Sequence, residues 1–149
     1  MRVLYVLAII AAAGFARHVW HGHAQRHAEL AMAQAQAQPS PNGFVATAMP
    51  EGAAADTVLV LAPVNCPSQA ARRADALARK LTEMHIPNQR SNRFALGVSN
   101  PTPEQRNAMQ SATDVLRGEI PAVFINGMGK SNPTAEEVVA EYERTGARN

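Results

Sequence analysis

The chain carries one cysteine, Cys66, in the tetrapeptide Cys66-Pro67-Ser68-Gln69. A single thiol excludes an intramolecular disulfide and an all-cysteine metal site. Two readings of the sulfur remain. As a thiolate it attacks disulfides or electrophiles; as a buried thiol it packs as a small hydrophobe, as free cysteines commonly do. Gln69 cannot resolve a mixed disulfide, so release of an adduct on Cys66 calls for an external thiol, such as glutathione or a cysteine of another protein. Pro67 restrains the turn after the sulfur, Ser68 offers a hydroxyl, and Asn65 offers a side chain able to cap orphan backbone donors. The other chemistry-bearing group is His18, His21, His23 and His27. Imidazoles suit zinc, copper or nickel, and His23 with His27 would share a helix face. With no acidic or cysteine partner fixed nearby, spacer histidines are the preferred reading, and no metal is assigned. Acid–base hydrolysis is disfavoured, because His85, read as a helix-end residue, has no convincing carboxylate pair.

These side chains need elements to position them, and the hydrophobic pattern from Asp56 onward supplies such elements. Thr57 to Ala62 (TVLVLA) is a short apolar, β-branched run that predicts a buried strand ended by Pro63. Ala70, Ala74, Leu77, Ala78, Leu81 and Met84 recur at helical spacing, with charged residues between them, and predict an amphipathic helix on a sheet. Its start is expected near Asn65, Cys66 and Pro67, since asparagine caps and proline suits the first helical position. In that setting backbone amides and the helix dipole would lower the thiol pKa of Cys66. Its end is expected before Pro87.

Gln89 to Val98 predicts one modest strand or a loop. Thr102-Pro103-Glu104-Gln105 has capping-box spacing and opens a second helix running to about Leu116, with Gly118 as a left-handed stop. Ile120 to Ile125 (IPAVFI) predicts a second buried strand, Asn126-Gly127 a tight turn, and Met128 to Lys130 a short edge strand. Thr134 with Glu137 repeats the capping-box spacing, so the last helix starts at Asn132 or Thr134 and stops at Gly146. Alternating elements joined by short links predict an α/β unit with a central sheet covered by helices.

The front of the chain reads differently. Val3 to Ala16 is uncharged and only 14 residues long, whereas a membrane span wants about 20. A signal peptide over 1–16 is preferred; an uncleaved anchor and a buried helix are the alternatives. Residues 17–55, rich in Ala, Gln, His and Pro, have the composition of a flexible tether. Residues 56–146 form the expected domain and 147–149 a tail. The chain as a whole has 14 basic and 12 acidic residues, and 56–146 carries ten of each by count, so nucleic-acid binding is disfavoured.

Taken together, the strand Thr57 to Ala62, Cys66-Pro67 at the mouth of a helix, and Ile120-Pro121 opening the strand of PAVFINGMGK resemble the thioredoxin superfamily, with the glutaredoxin branch nearest. The resemblance covers about Asp56 to Gly146. It implies a thioredoxin-like three-layer α/β/α fold with a mixed central sheet. It implies a cis bond before Pro121, with Pro121 against Cys66 as the catalytic pair, and Ile120 in the ligand groove. Asn65, Pro67 and Ser68 would line that groove beside the sulfur.

The sequence also departs from the family. Cys66-Pro67-Ser68-Gln69 stands in place of a Cys-x-x-Cys dithiol and is not the Cys-Gly-Phe-Ser of iron–sulfur monothiol glutaredoxins, so no cluster is expected. Ala62 to Asn65 lacks the basic residue that glutaredoxins often carry there. Gly129 to Thr134 replaces the glycine-glycine-acid loop, leaving Ser131, Asn132 and Thr134 as hydrogen-bonding candidates and Lys130 or Arg93 as charge candidates. The functional expectation is an exported, periplasmic or secreted monothiol redox protein forming mixed disulfides through Cys66 with glutathione or a protein thiol. Glutathione is then a co-substrate, with no tightly bound cofactor. The alternative is a noncatalytic thioredoxin-like binding domain in the cell envelope, with a protein partner and N-terminal membrane association.

Overall fold

The computed structural model describes residues 38–64 and 66–146. They form an α/β fold with a five-stranded mixed sheet and three helices. In chain order the elements are β1 (Val45–Ala46), β2 (Val58–Leu61), α1 (Gln69–Glu83), β3 (Asn88–Ser91), α2 (Pro103–Arg117), β4 (Ala122–Ile125), β5 (Met128–Ser131) and α3 (Ala135–Gly146). The strand order across the sheet is β1-β5-β4-β2-β3. β2 runs parallel to β3 and antiparallel to β4, in the register Leu59–Phe124, Val60–Val123, Leu61–Ala122. β5 lies antiparallel to both β4 and β1.

The two central strands, VLVL and AVFI, are buried at every position, as unbroken apolar runs require. Alternate side chains of each strand enter different clusters, because successive Cβ atoms of a strand point to opposite faces. Val58, Val60, Val123 and Ile125 pack with Ala74, Leu77 and Leu81 of α1 and Val138 of α3. Leu59, Leu61, Ala122 and Phe124 pack with Ala112 and Val115 of α2. Full burial of each larger side chain contributes about 1.5–3 kcal/mol, so these two clusters are the main source of cohesion.

Local signals set most element ends. Thr102 accepts from the Gln105 amide while the Gln105 side chain accepts from the Thr102 amide, a complete capping box with Pro103 in the first turn. Thr134 and Glu137 make the same reciprocal pair ahead of α3. Asn126 (φ 45°) and Gly127 (φ 81°) both adopt left-handed geometry, which joins β4 to β5 by a two-residue turn.

Four expectations need correction. The first helix starts at Gln69 with Ser68 as its N-cap, not near Asn65 to Pro67, because the Ser68 hydroxyl accepts from the Ala71 amide. Gly118 is extended (φ −74°) rather than left-handed; its need for glycine is steric, since a Cβ there would lie 2.1 Å from Ser131 Oγ. The polar segment Asn88–Ser91 forms the doubtful strand, so pairing with β2 outweighs its lack of apolar residues and the apolar material farther along stays outside it.

The fourth correction concerns the tether. Residues placed there by composition belong to the packed unit from Ser40 onward. Phe44 is fully buried, β1 pairs with β5, and Ser40 and Asn42 donate to the buried carboxylate of Glu141 at 2.9 and 3.0 Å. β5 is therefore an inner strand and β1 the edge. The ammonium of Lys130 completes this attachment: it donates to Asn42 O at 2.9 Å, pairs with Glu137 at 2.8 Å and lies 5.9 Å from the Phe44 ring centre. Among the described residues no helix is long and apolar enough to cross a membrane. The expected leader at 1–16, most of the tether and the tail at 147–149 lie outside the described residues, as do His18, His21, His23 and His27.

Candidate functional site

Cys66 sits in the segment that leads from the C-terminal end of β2 to the cap of α1, and it is exposed. The reading of the sulfur as a buried small hydrophobe is therefore set aside. Its pKa is lowered from the ordinary thiol value by hydrogen bonds from the Ser68 hydroxyl and then the Ser68 backbone amide, against a small opposing effect of desolvation. The direction agrees with the sequence expectation, but the cause is more local. With the helix starting at Gln69, Cys66 stands two residues ahead of the N-cap, and Ser68 supplies both donors. Ser68 Oγ also accepts from Ala71 N at 3.2 Å. One hydroxyl thus caps the helix with a lone pair and supports the thiolate with its proton. Pro67 is exposed between them, and Asn65 lies outside the described residues.

The entry to β4 holds the other residues singled out from the sequence. The Ile120–Pro121 peptide bond is cis, and Pro121 is buried. Its carbonyl accepts from the Asn132 amide at 2.7 Å, while the Asn132 side chain donates to Glu119 at 2.9 Å. Ile120, half-buried, has its carbonyl engaged by Arg73 of α1, whose Nε and Nη2 donate at 3.3 and 3.0 Å. Arg73 falls on the charged part of the α1 pattern and reads there as a solvated helix-face residue, so its reach to Ile120 is missed. No periodicity distinguishes a solvated arginine from one reaching across to a neighbouring loop.

Several polar groups proposed from sequence have other work. Thr134 caps α3, Ser131 Oγ donates to Val115 O at 2.6 Å, and Lys130 is held by Asn42, Glu137 and Phe44. The structure thus brings Cys66 to Ser68, Pro121 to Asn132 and Ile120 to Arg73, while Thr134 serves the helix end. Between β2, α2 and β4 lies a cavity of about 380 Å³. Leu61, Ala62 and Pro63 form one wall, Asn92 and Phe94 a second, and Leu116, Ile120 and Ala122 the rest. Its lining is apolar apart from Asn92 and exposed backbone. A second missed residue, Arg90, reaches this wall from β3. Its guanidinium pairs with Asp75 and donates to the carbonyls of Val60 at 3.3 Å and Pro63 at 3.5 Å.

Among the described residues no group of three or more histidine, cysteine or carboxylate side chains is placed to hold a metal ion. The chemistry that the described residues offer is that of an exposed thiol whose ionised form is favoured by Ser68. No family model, curated protein or solved structure matches this chain.

Proposed function

We propose that this is a thioredoxin-like, glutaredoxin-type monothiol protein whose Cys66 forms mixed disulfides with glutathione or a protein thiol. The observation that carries this reading is the exposure of Cys66 together with the Ser68 hydroxyl and amide that favour its thiolate. The strand order β5-β4-β2-β3, with only β2 and β3 parallel, supports the finer fold assignment. So does the division of the core between α1 with α3 and α2. Together they fit a three-layer α/β/α arrangement in which the thiol segment leaves the end of a central strand.

The thiolate attacks a disulfide, one sulfur of which becomes bonded to Cys66 while the other departs as a thiolate. The chain has one cysteine, so a second thiol must regenerate Cys66. Export of the protein, with periplasmic or secreted location, remains the proposal carried by the leader residues.

Incubation with oxidised glutathione followed by intact-mass measurement tests the reading. One glutathione adduct is expected, absent in Cys66→Ser; no adduct on the native chain would exclude this chemistry. A second reading, a noncatalytic binding domain in the cell envelope, draws on the Arg73 contact that already engages the Ile120 carbonyl. A Cys66→Ser chain that folds normally but loses its cellular role would count against it.

A further inference from the structure

Resting on the reading of Cys66 as a reactive thiol, we infer that its partner is a protein cysteine flanked by an apolar side chain and an acidic residue. The apolar side chain would enter the cavity bounded by Pro63, Phe94, Leu116 and Ile120, and the acid would meet Arg73.

The cavity argues for the apolar part. Its volume lies at the lower end of the ~300–1,000 Å³ usual for ligand pockets, and side chains of Leu61, Phe94, Leu116 and Ala122 leave it little polar chemistry to offer. Its lining runs through Leu61, Ala62 and Pro63, the last of them three residues before Cys66 in the chain, and Ile120 forms another part of its boundary. Leu116 is 37% exposed despite its size, so an incoming side chain would remove standing apolar surface from water. Glutathione has no apolar side chain to place there.

Charge argues for the acid. Arg73 is fixed by Ile120 O but forms no ion pair among the described residues. Arg93, between the lining residues Asn92 and Phe94, and Arg117, after Leu116, are also exposed and without an ion pair among them. The acids nearest in sequence to these arginines are already engaged: Asp75, two residues from Arg73, pairs with Arg90, and Glu119, two from Arg117, accepts from the Asn132 side chain. The surroundings are therefore cationic, and a carboxylate beside the apolar anchor complements them.

The test follows thiol–disulfide exchange on the full chain with short peptides whose single cysteine is disulfide-linked to thionitrobenzoate. Cys66 thiolate attacks the peptide sulfur, the new Cys66–peptide bond forms as the old sulfur–sulfur bond breaks, and thionitrobenzoate leaves with the electron pair as a coloured thiolate. A peptide with phenylalanine and glutamate beside its cysteine is compared with a glycine and glutamine version, and each rate is divided by that of the glutathione–thionitrobenzoate disulfide. The Phe/Glu peptide is expected to react roughly tenfold faster than the Gly/Gln peptide. Arg73→Gln should reduce that preference about two- to fivefold, the range of an exposed ion pair, and Leu116→Asp should abolish most of it.

Equal peptide rates, or a preference that survives both substitutions, would overturn the inference while leaving thiol chemistry intact. Lack of reaction with every disulfide would overturn the reading of Cys66 itself. A native dimer dissolved by Leu116→Asp would assign the cavity to a second copy of the chain and overturn the proposed partner.

Discussion

The molecule uses one device twice, in opposite surroundings. At the N-terminal attachment, Ser40 Oγ accepts from Phe44 N at 3.1 Å and donates to the carboxylate of Glu141. At the thiol, Ser68 Oγ accepts from Ala71 N and supports the Cys66 thiolate. The serine organises its own backbone turn in both places and favours an anion. The difference is the anion's access to water and partners. Glu141 is fully buried and also receives Asn42 and both donors of the Arg144 fork, whereas Cys66 is exposed and draws its support from Ser68. An anion saturated with internal donors fastens chain segments together; one left open is available to react.

Breaking the buried member should have the largest effect. Glu141→Ala strands the polar groups of Ser40 and Asn42 and leaves Arg144 without its carboxylate. It should destabilise the fold by about 3 kcal/mol, read as a lower urea midpoint, whereas Cys66→Ser should leave the midpoint unchanged. The same contrast has a pH signature. Burial pushes the Glu141 carboxyl up, but hydrogen bonds from Arg144, Asn42 and Ser40, with the Arg144 charge, outweigh it and hold the pKa below the ordinary value. The unfolded chain therefore binds more protons in acid. This contribution is full above the ordinary carboxylate value of about 4.3 and fades as pH falls through the lower folded value. Glu141→Gln should flatten the acid side of the stability profile. An unchanged acid slope would mean that the carboxylate is not the group being titrated.

The serine at the open member can be removed in a way that separates its two duties. Ser68→Ala loses the cap and the thiolate donor together, with a stability cost of about 1 kcal/mol. Ser68→Gly retains most capping ability but still lacks the hydroxyl. Both should raise the Cys66 pKa, measured from the ultraviolet absorbance of the thiolate against pH. A titration unmoved in Ser68→Gly would show that the hydroxyl is not what acidifies the sulfur.

These comparisons also explain what could be read from the sequence. β2, β4, the Asn126-Gly127 turn and both capping boxes were legible because each is written in adjacent residues. The start of α1 was misplaced because Asn65 with Pro67 and Ser68 alone are both acceptable openings, and only the bond to Ala71 decides between them. β1 and β3 were obscure for another reason. A two-residue strand has no period, and Asn88–Ser91 has no apolar residue, so both exist through their neighbours. Of the site, Cys66, Ser68 and Pro121 stood out by type and context. Arg73 and Arg90 did not, since their contacts join segments 47 and 27 to 30 residues apart.

A smaller effect sharpens the contrast between satisfied and unsatisfied buried polar groups. Thr47, just beyond β1, is 6% exposed, and its hydroxyl has no hydrogen-bond partner among the described residues, whereas Glu141 in the same attachment has several. Its methyl faces the tight space at Gly129, where an added Cβ would lie 2.9 Å away. Replacing only the hydroxyl should relieve desolvation without disturbing that contact. Thr47→Val is therefore expected to stabilise the fold by up to about 1 kcal/mol in urea unfolding. A loss of stability would instead place a bound water or another partner on the hydroxyl, and the N-terminal attachment would then rest on two satisfied polar centres rather than one.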